Sequence, residues 1–227
     1  MDQYEWADPP SRTAFPVAGA GYPFIAAAAF ITLVLALLEL TALALVALVA
    51  TLFVCCFFRD PDRVTPNDPA AVMAPADGRV VSAQMVESNA FVERRCMKVG
   101  IFMSIFNVHV NRIPFAGRVK AIRYTPGRFY AADKEKAATE NEHNAVILTG
   151  GDMHTMAVVQ VAGLVARRII CWIKAEDMVA AGQRFGLICF GSRVDLYLPA
   201  DTEVTAHVGD KVKAGSTILG YLPDDAK

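Results

Sequence analysis

Residues 22–58 form an almost unbroken apolar run in which Glu39 is the only charge. A chain of 227 residues has little else with which to cover such a run. As one straight helix it would be about 55 Å long at ~1.5 Å per residue. The hydrocarbon core of a bilayer is only ~30 Å thick. The run therefore reads as two short helices, 22–38 and 41–58, bent near Glu39 into a membrane hairpin. A cleaved leader does not fit, because the 21 residues before it are polar and acidic and the run is too long. The mean hydropathy of +0.34 comes from this local excess.

Arg59 and Arg63 follow the second helix, with further Lys and Arg downstream. Positive residues favour the cytoplasmic side, which places residues 60–227 there. A hairpin returns the tail, 1–21, to the same side. The expected location is the inner cell membrane with residues 60–227 facing the cytoplasm. Residues 59–69 read as a linker, since prolines and alternating charges stop the helix. A net charge of -1 and a pI near 6.4 give no support for a nucleic-acid partner. The five cysteines include no CxxC pair, which points to reduced thiols and no metal site. Cys189 reads as buried strand filler.

From residue 70 onward, short β-branched runs alternate with turn signals. The expected strands are 79–85, 97–102, 109–113, 119–124, 145–148, 154–161, 168–172, 184–188, 194–198 and 217–221. Turns fall at Asp77-Gly78, Pro126-Gly127, Gly150-Gly151-Asp152 and Gly209-Asp210. The fold class is mostly β, an antiparallel sandwich or barrel. Residues 133–141 suit a short helix or a loop equally. The stretch Gly209-Asp210-Lys211-Val212-Lys213-Ala214-Gly215 resembles the hairpins of lipoyl and biotinyl carrier domains. No Met-Lys or Asp-Lys-Ala tip stands where a carrier needs its lysine.

Gly191-Ser192 sits between two apolar, strand-like runs. Glycine leaves its carbonyl open to attack and tolerates strained geometry, so a serine beside it can break its own chain. Asp77, His109 and Ser192, in that order, suit a base-assisted nucleophile, with the carboxylate orienting the imidazole. Each also has an ordinary reading. Asp-Gly is a common turn, and His109 alternates with Val108 and Val110 as a strand residue would.

Five motifs, in order, carry a resemblance. They are Phe57-Phe58-Arg59-Asp60-Pro61, Pro75-Ala76-Asp77-Gly78, Asn107-Val108-His109-Val110-Asn111-Arg112-Ile113-Pro114, Thr125-Pro126-Gly127 and Phe190-Gly191-Ser192. Together they resemble phosphatidylserine decarboxylase of the short, membrane-anchored (archaeal) type, from about residue 22 to 222. The resemblance implies a proenzyme that cuts itself between Gly191 and Ser192. The β chain is then 1–191 and the α chain 192–227, with Ser192 converted to a pyruvoyl group. That ketone is an electron sink for loss of CO2 from phosphatidylserine. Among the matched residues His109 is the nearest candidate for the acid that protonates the product. The longer members carry a second histidine where this chain has Arg112, so Arg112 and His143 are candidate substrate contacts. The implied partners are phosphatidylserine, an anionic membrane and the two chains of one precursor, with self-association left open.

Two other readings stay open on the residues alone. One is a membrane-tethered serine hydrolase using Asp77, His109 and Ser192, against which the Gly-x-Ser-x-Gly elbow is absent. The other is a non-enzymatic carrier module built on residues 209–220.

Overall fold

In a computed structural model, residues 4–5, 7–11, 15–87, 90–92, 94–132, 136–150, 154–164, 168–189 and 191–223 are described. Phe190 of the Phe190-Gly191-Ser192 motif, the Gly151-Asp152 half of an expected turn, residues 133–135 and parts of the tail lie outside them. The chain divides into two compact units, Ser11–Asp62 and a β unit of residues 1–10 and 63–227.

In the smaller unit, α1 (Tyr22–Leu37) and α2 (Thr41–Phe57) form a helical hairpin. Pro23 occupies the first turn of α1, where its missing N–H costs nothing. Glu39 turns the chain between the helices with φ 59. The hairpin packs through small and aromatic groups. Thr32 and Thr51 share a hydroxyl–hydroxyl bond of 3.0 Å, and Phe24 stacks on Phe58 at 5.4 Å. The open end is closed by Ala18 N–H to the Phe58 carbonyl and Asp60 N–H to the Pro16 carbonyl, at 2.9 and 2.8 Å. Within α1 no residue is buried, although nearly all are apolar. The helix Gly19–Leu37 is long and apolar enough to cross a membrane, and α2 is shorter.

The β unit begins with β1 (Tyr4–Glu5), β2 (Thr65–Pro66), β3 (Ala71–Met73), β4 (Gly78–Val86) and β5 (Cys96–Met103). Next come β6 (Val110–Arg112), β7 (Gly117–Thr125), the short α3 (Ala137–Glu140), β8 (His143–Gly150), β9 (His154–Ala162) and β10 (Ile169–Cys171). The chain ends through β11 (Met178–Val179), β12 (Arg184–Ile188), β13 (Ser192–Pro199), β14 (Glu203–Val204), β15 (Lys211–Val212) and β16 (Ile218–Tyr221). The architecture is mostly β and antiparallel. The large sheet has the order β11-β7-β8-β9-β13-β5-β4-β15, and smaller sheets run β10-β12-β6, β14-β16-β3 and β1-β2.

The main core lies on the inner face of the large sheet. There Val194, Leu196 and Leu198 of β13 meet Val146, Val158 and Ile101, together with Phe185 and Ile188 of β12. The outer face carries a second core of Ala145, Ile147, Val159, Val161 and Tyr197. Because β9 is covered on both faces, its sequence is a continuous apolar run instead of an alternating one. Outward-facing Arg193 is buried too. It donates through Nε to Asp195 and through Nη2 to Ser82 Oγ at 3.0 Å, and Lys98 Nζ lies 3.1 Å from the other Asp195 oxygen. Gly100 leaves the space for this cluster, since a Cβ there would overlap the Arg193 guanidinium.

The carrier-like stretch departs from its sequence reading. β15 pairs with β4, whereas β16 pairs with β3 and β14, so residues 209–220 bridge two sheets. Gly215, at φ 70, turns the chain, and its N–H is held by the Ala74 carbonyl at 2.9 Å. That bond ties the loop to the strand ahead of it and takes the place of a hairpin ladder.

Candidate active site

The ladder register collects one rim of the large sheet. Ser192 opens β13 opposite Met103 at the end of β5 and Ala162 at the end of β9. Arg79, near the start of β4, pairs with Phe102, which puts Asp77-Gly78 at the same rim. All three partners of this row lie on the inner face, since directly opposite residues in a sheet share a face.

Ser192 has no exposed surface. Its hydroxyl donates to Met103 Sδ at 3.4 Å. Gly191, immediately before it, has φ 68, a backbone conformation that favours glycine. A side chain there would meet only Ile105 Cγ2 at 3.9 Å, so conformation sets the requirement and space does not.

His109 is fully buried between β5 and β6. The preceding turn is locked by Asn107 Oδ1, which accepts from Ser104 N–H at 2.8 Å and Ser104 Oγ at 2.7 Å. His109 Nδ1 lies 2.9 Å from the Asn107 carbonyl. A carbonyl can only accept, so Nδ1 carries the proton. Nε2 in turn accepts from Gly191 N–H at 3.4 Å. The imidazole base thus faces the residue whose carbonyl precedes Ser192.

The structure brings His109, Gly191 and Ser192 together but does not put Asp77 behind the imidazole. Arg63 Nη2 takes Asp77 Oδ2 at 2.9 Å, and Ala214 N–H donates to Oδ1 at 2.8 Å. The partner of the imidazole Nδ1, expected to be Asp77, is the Asn107 carbonyl. Arg112 is buried, with Nη1 on the Gly182 carbonyl at 2.9 Å and 3.5 Å from Asp8, which also holds Arg184. His143 pairs with Val161, and Val161 pairs with Arg193, so it lies on the outer face. There its ring meets Phe91 edge-on at 5.4 Å, and Nδ1 is 2.8 Å from the Asn141 carbonyl.

A row of buried amides backs the site, and the sequence reading missed it. Asn111 Nδ2 reaches Met103 Sδ at 3.7 Å, and Asn111 Oδ1 accepts from Gln160 Nε2 at 2.9 Å. Gln160 Oε1 accepts from Asn144 Nδ2 at 3.0 Å. Buried amides persist in a core only when they satisfy one another. The available signal was Gln160, the one polar residue inside the apolar run of β9. Burial pushes the Cys189 and Cys171 thiols up.

The sequence profile of the family described as phosphatidylserine decarboxylase matches residues 50–220. The chain is 52% identical over 207 residues to a protein of Desulfotalea psychrophila named phosphatidylserine decarboxylase proenzyme, covering 91% of this chain and 97% of that one. A protein of the same name from Geotalea uraniireducens is 52% identical over 208 residues, 92% of this chain and 97% of its own. One from Syntrophus aciditrophicus is 45% identical over 205 residues, 90% and 96% of the two chains. Matches of this extent take in both the buried Gly191-Ser192 step and the histidine that faces it, and the chain belongs to the phosphatidylserine decarboxylase family.

Proposed function

We propose that this chain is made as a proenzyme, cuts itself between Gly191 and Ser192, and then decarboxylates phosphatidylserine to phosphatidylethanolamine. The observation that carries the reading is a fully buried serine directly after a left-handed glycine, with an unprotonated imidazole nitrogen facing that glycine.

The residues fit a cofactor made from the chain itself. A rotation about the Cα–Cβ bond of Ser192 takes its hydroxyl from the Met103 sulfur to the Gly191 carbonyl carbon. His109 Nε2 receives the hydroxyl proton as Oγ adds to that carbon, and returns it to the Ser192 nitrogen as the C–N bond breaks. The products are an ester on Ser192 Oγ and a free amine. Loss of the Ser192 Hα expels the Gly191 carboxylate, and water then replaces the nitrogen, which leaves as ammonia. The resulting pyruvoyl ketone supplies an electron sink for loss of CO2 from the serine headgroup. His109, held by the Asn107 carbonyl, would take through Nε2 a proton released by the substrate's ammonium group and deliver it to the product carbon. Asp77 supports the rim through Arg63 and the Ala214 amide. Arg112 and His143 are engaged away from Ser192, so headgroup contact is assigned to exposed Arg168, whose carbonyl holds Cys189 N–H at 3.1 Å.

The ladder explains why such a cut leaves one folded body. Residues of β13 pair with β5 on one side and β9 on the other, so the new α chain, 192–227, holds a central strand. The helical hairpin is proposed to anchor the enzyme in an anionic inner membrane, with Arg59 and Arg63 and the β unit on the cytoplasmic side. The substrate's acyl chains then stay in the bilayer while the headgroup reaches Ser192.

Intact-mass analysis of the purified wild type beside Ser192→Ala tests the reading. The wild type is expected to give a small fragment starting at residue 192, with a blocked terminus whose carbonyl borohydride reduces. The variant is expected to remain one chain without activity. A fully active wild type with an uncut backbone overturns the proposal.

A further inference from the structure

We propose that Gly163 is a positioning residue for self-cleavage, a seat that fixes the carbonyl oxygen of Gly191. The inference rests on the reading of Gly191–Ser192 as the bond that is cut. A Cβ built on Gly163 would overlap the Gly191 carbonyl oxygen and lie 3.0 Å from the Gly191 carbonyl carbon. Gly163 has no left-handed φ, so its backbone would accept alanine, and only the carbonyl forbids it. The two glycines are therefore required for opposite reasons. Gly191 needs the conformation and has space for a side chain, whereas Gly163 needs the space and has an ordinary conformation.

The seat cannot retreat from a larger residue. Ala162, next to it, pairs with Ser192 in the ladder. Its N–H donates to the Glu142 carbonyl at 2.9 Å, and its carbonyl accepts from Asn141 Nδ2 at 2.7 Å. Asn141 is buried and doubly tied to Tyr130, with Nδ2 to the carbonyl at 2.9 Å and Oδ1 from the N–H at 2.8 Å. Ala132 Cβ stands 3.4 Å from the position a Gly163 Cβ would take. Whatever fixes where a carbonyl oxygen lies also fixes which face of its carbon the neighbouring hydroxyl meets. Displacing a reacting group by about 1 Å can cost on the order of 100-fold in rate.

The test follows cleavage of the full chain over time by mass. Gly163→Ala is expected to cut about 100-fold more slowly than wild type. Gly117→Ala is the control, because a Cβ there overlaps the Thr149 carbonyl in a strand outside the rim. It is expected to lower the unfolding temperature and leave the cleavage rate near wild type. Hydroxylamine gives a readout that a general loss of stability would not move. It traps the ester as a Gly191 hydroxamate, and Gly163→Ala is expected to yield almost none, since its block comes before the ester. If Gly163→Ala fails to fold, Asn141→Ser carries the test. It loosens the seat without adding an atom and is expected to slow cleavage and hydroxamate formation together. Wild-type cleavage in Gly163→Ala, or in Asn141→Ser where that variant carries the test, overturns the inference, as does abundant hydroxamate in a slow variant. A wild type that never cuts would instead overturn the proposed function.

Discussion

The two faces of β13 do different work with alternate residues of one strand. Ser192, Val194, Leu196 and Leu198 point inward, to the candidate site and the main core, while Arg193, Asp195 and Tyr197 point outward into a second buried layer. Both faces exclude water, but only the outer one does so with charges in place. Burying charge is costly unless every charge is paired. The outer cluster therefore contributes less to net stability than to alignment. It clamps residue 193, next to Ser192, and leaves the inner face to packing.

Breaking the outer clamp is expected to have the largest effect on stability. In the uncut Ser192→Ala background, Asp195→Ala strands Arg193 and Lys98 beneath the outer layer and is expected to cost about 3–5 kcal/mol. Urea unfolding in detergent micelles measures it, and a loss below about 1 kcal/mol would mean that the cluster is solvated. On the inner face, Leu196→Ala removes a fully buried side chain and is expected to cost about 3 kcal/mol through lost burial and the cavity left behind. A cost equal to or greater than that of Asp195→Ala would reverse the ranking of the faces.

The smallest effect sharpens the comparison through pH. Burial, reinforced by Asp195, raises the Tyr197 phenol above its ordinary range. The unfolded chain loses that proton near pH 10, whereas the folded chain keeps it. Stability from this group is therefore complete below about pH 10 and declines as pH rises toward the folded value, by up to about 1.4 kcal/mol per pH unit. Tyr197→Phe is expected to remove that part of the slope in unfolding measured from pH 8 to 11. Identical slopes in the two proteins would show that the phenol is not buried in solution.

Much of the β unit was legible because burial on one or both faces leaves a pattern in sequence. The runs 97–102, 145–148, 154–161 and 194–198 all fall inside observed strands. Residues 209–220 misled because a local turn signal does not say which sheet each flank joins, and here the flanks join different ones. His109 and Gly191-Ser192 were readable as local motifs. The carboxylate of Asp77 was not, because its partners Arg63 and Ala214 are brought to it only by the fold. Gly163 was invisible for the same reason, since its need for space is set by a carbonyl far along the chain.

If the chain is cut ahead of Ser192 as proposed, the central place of β13 has a consequence for the cut protein. While the chain is whole, its strands can find one another as parts of a single polymer. After the cut, the middle strand of the large sheet belongs to a separate peptide, and reassembly becomes a meeting of two molecules. Renaturation of the mature enzyme should then slow on dilution, while that of the precursor should not. Maturation thus trades a chain that can rebuild itself for one that keeps its shape only by never letting go.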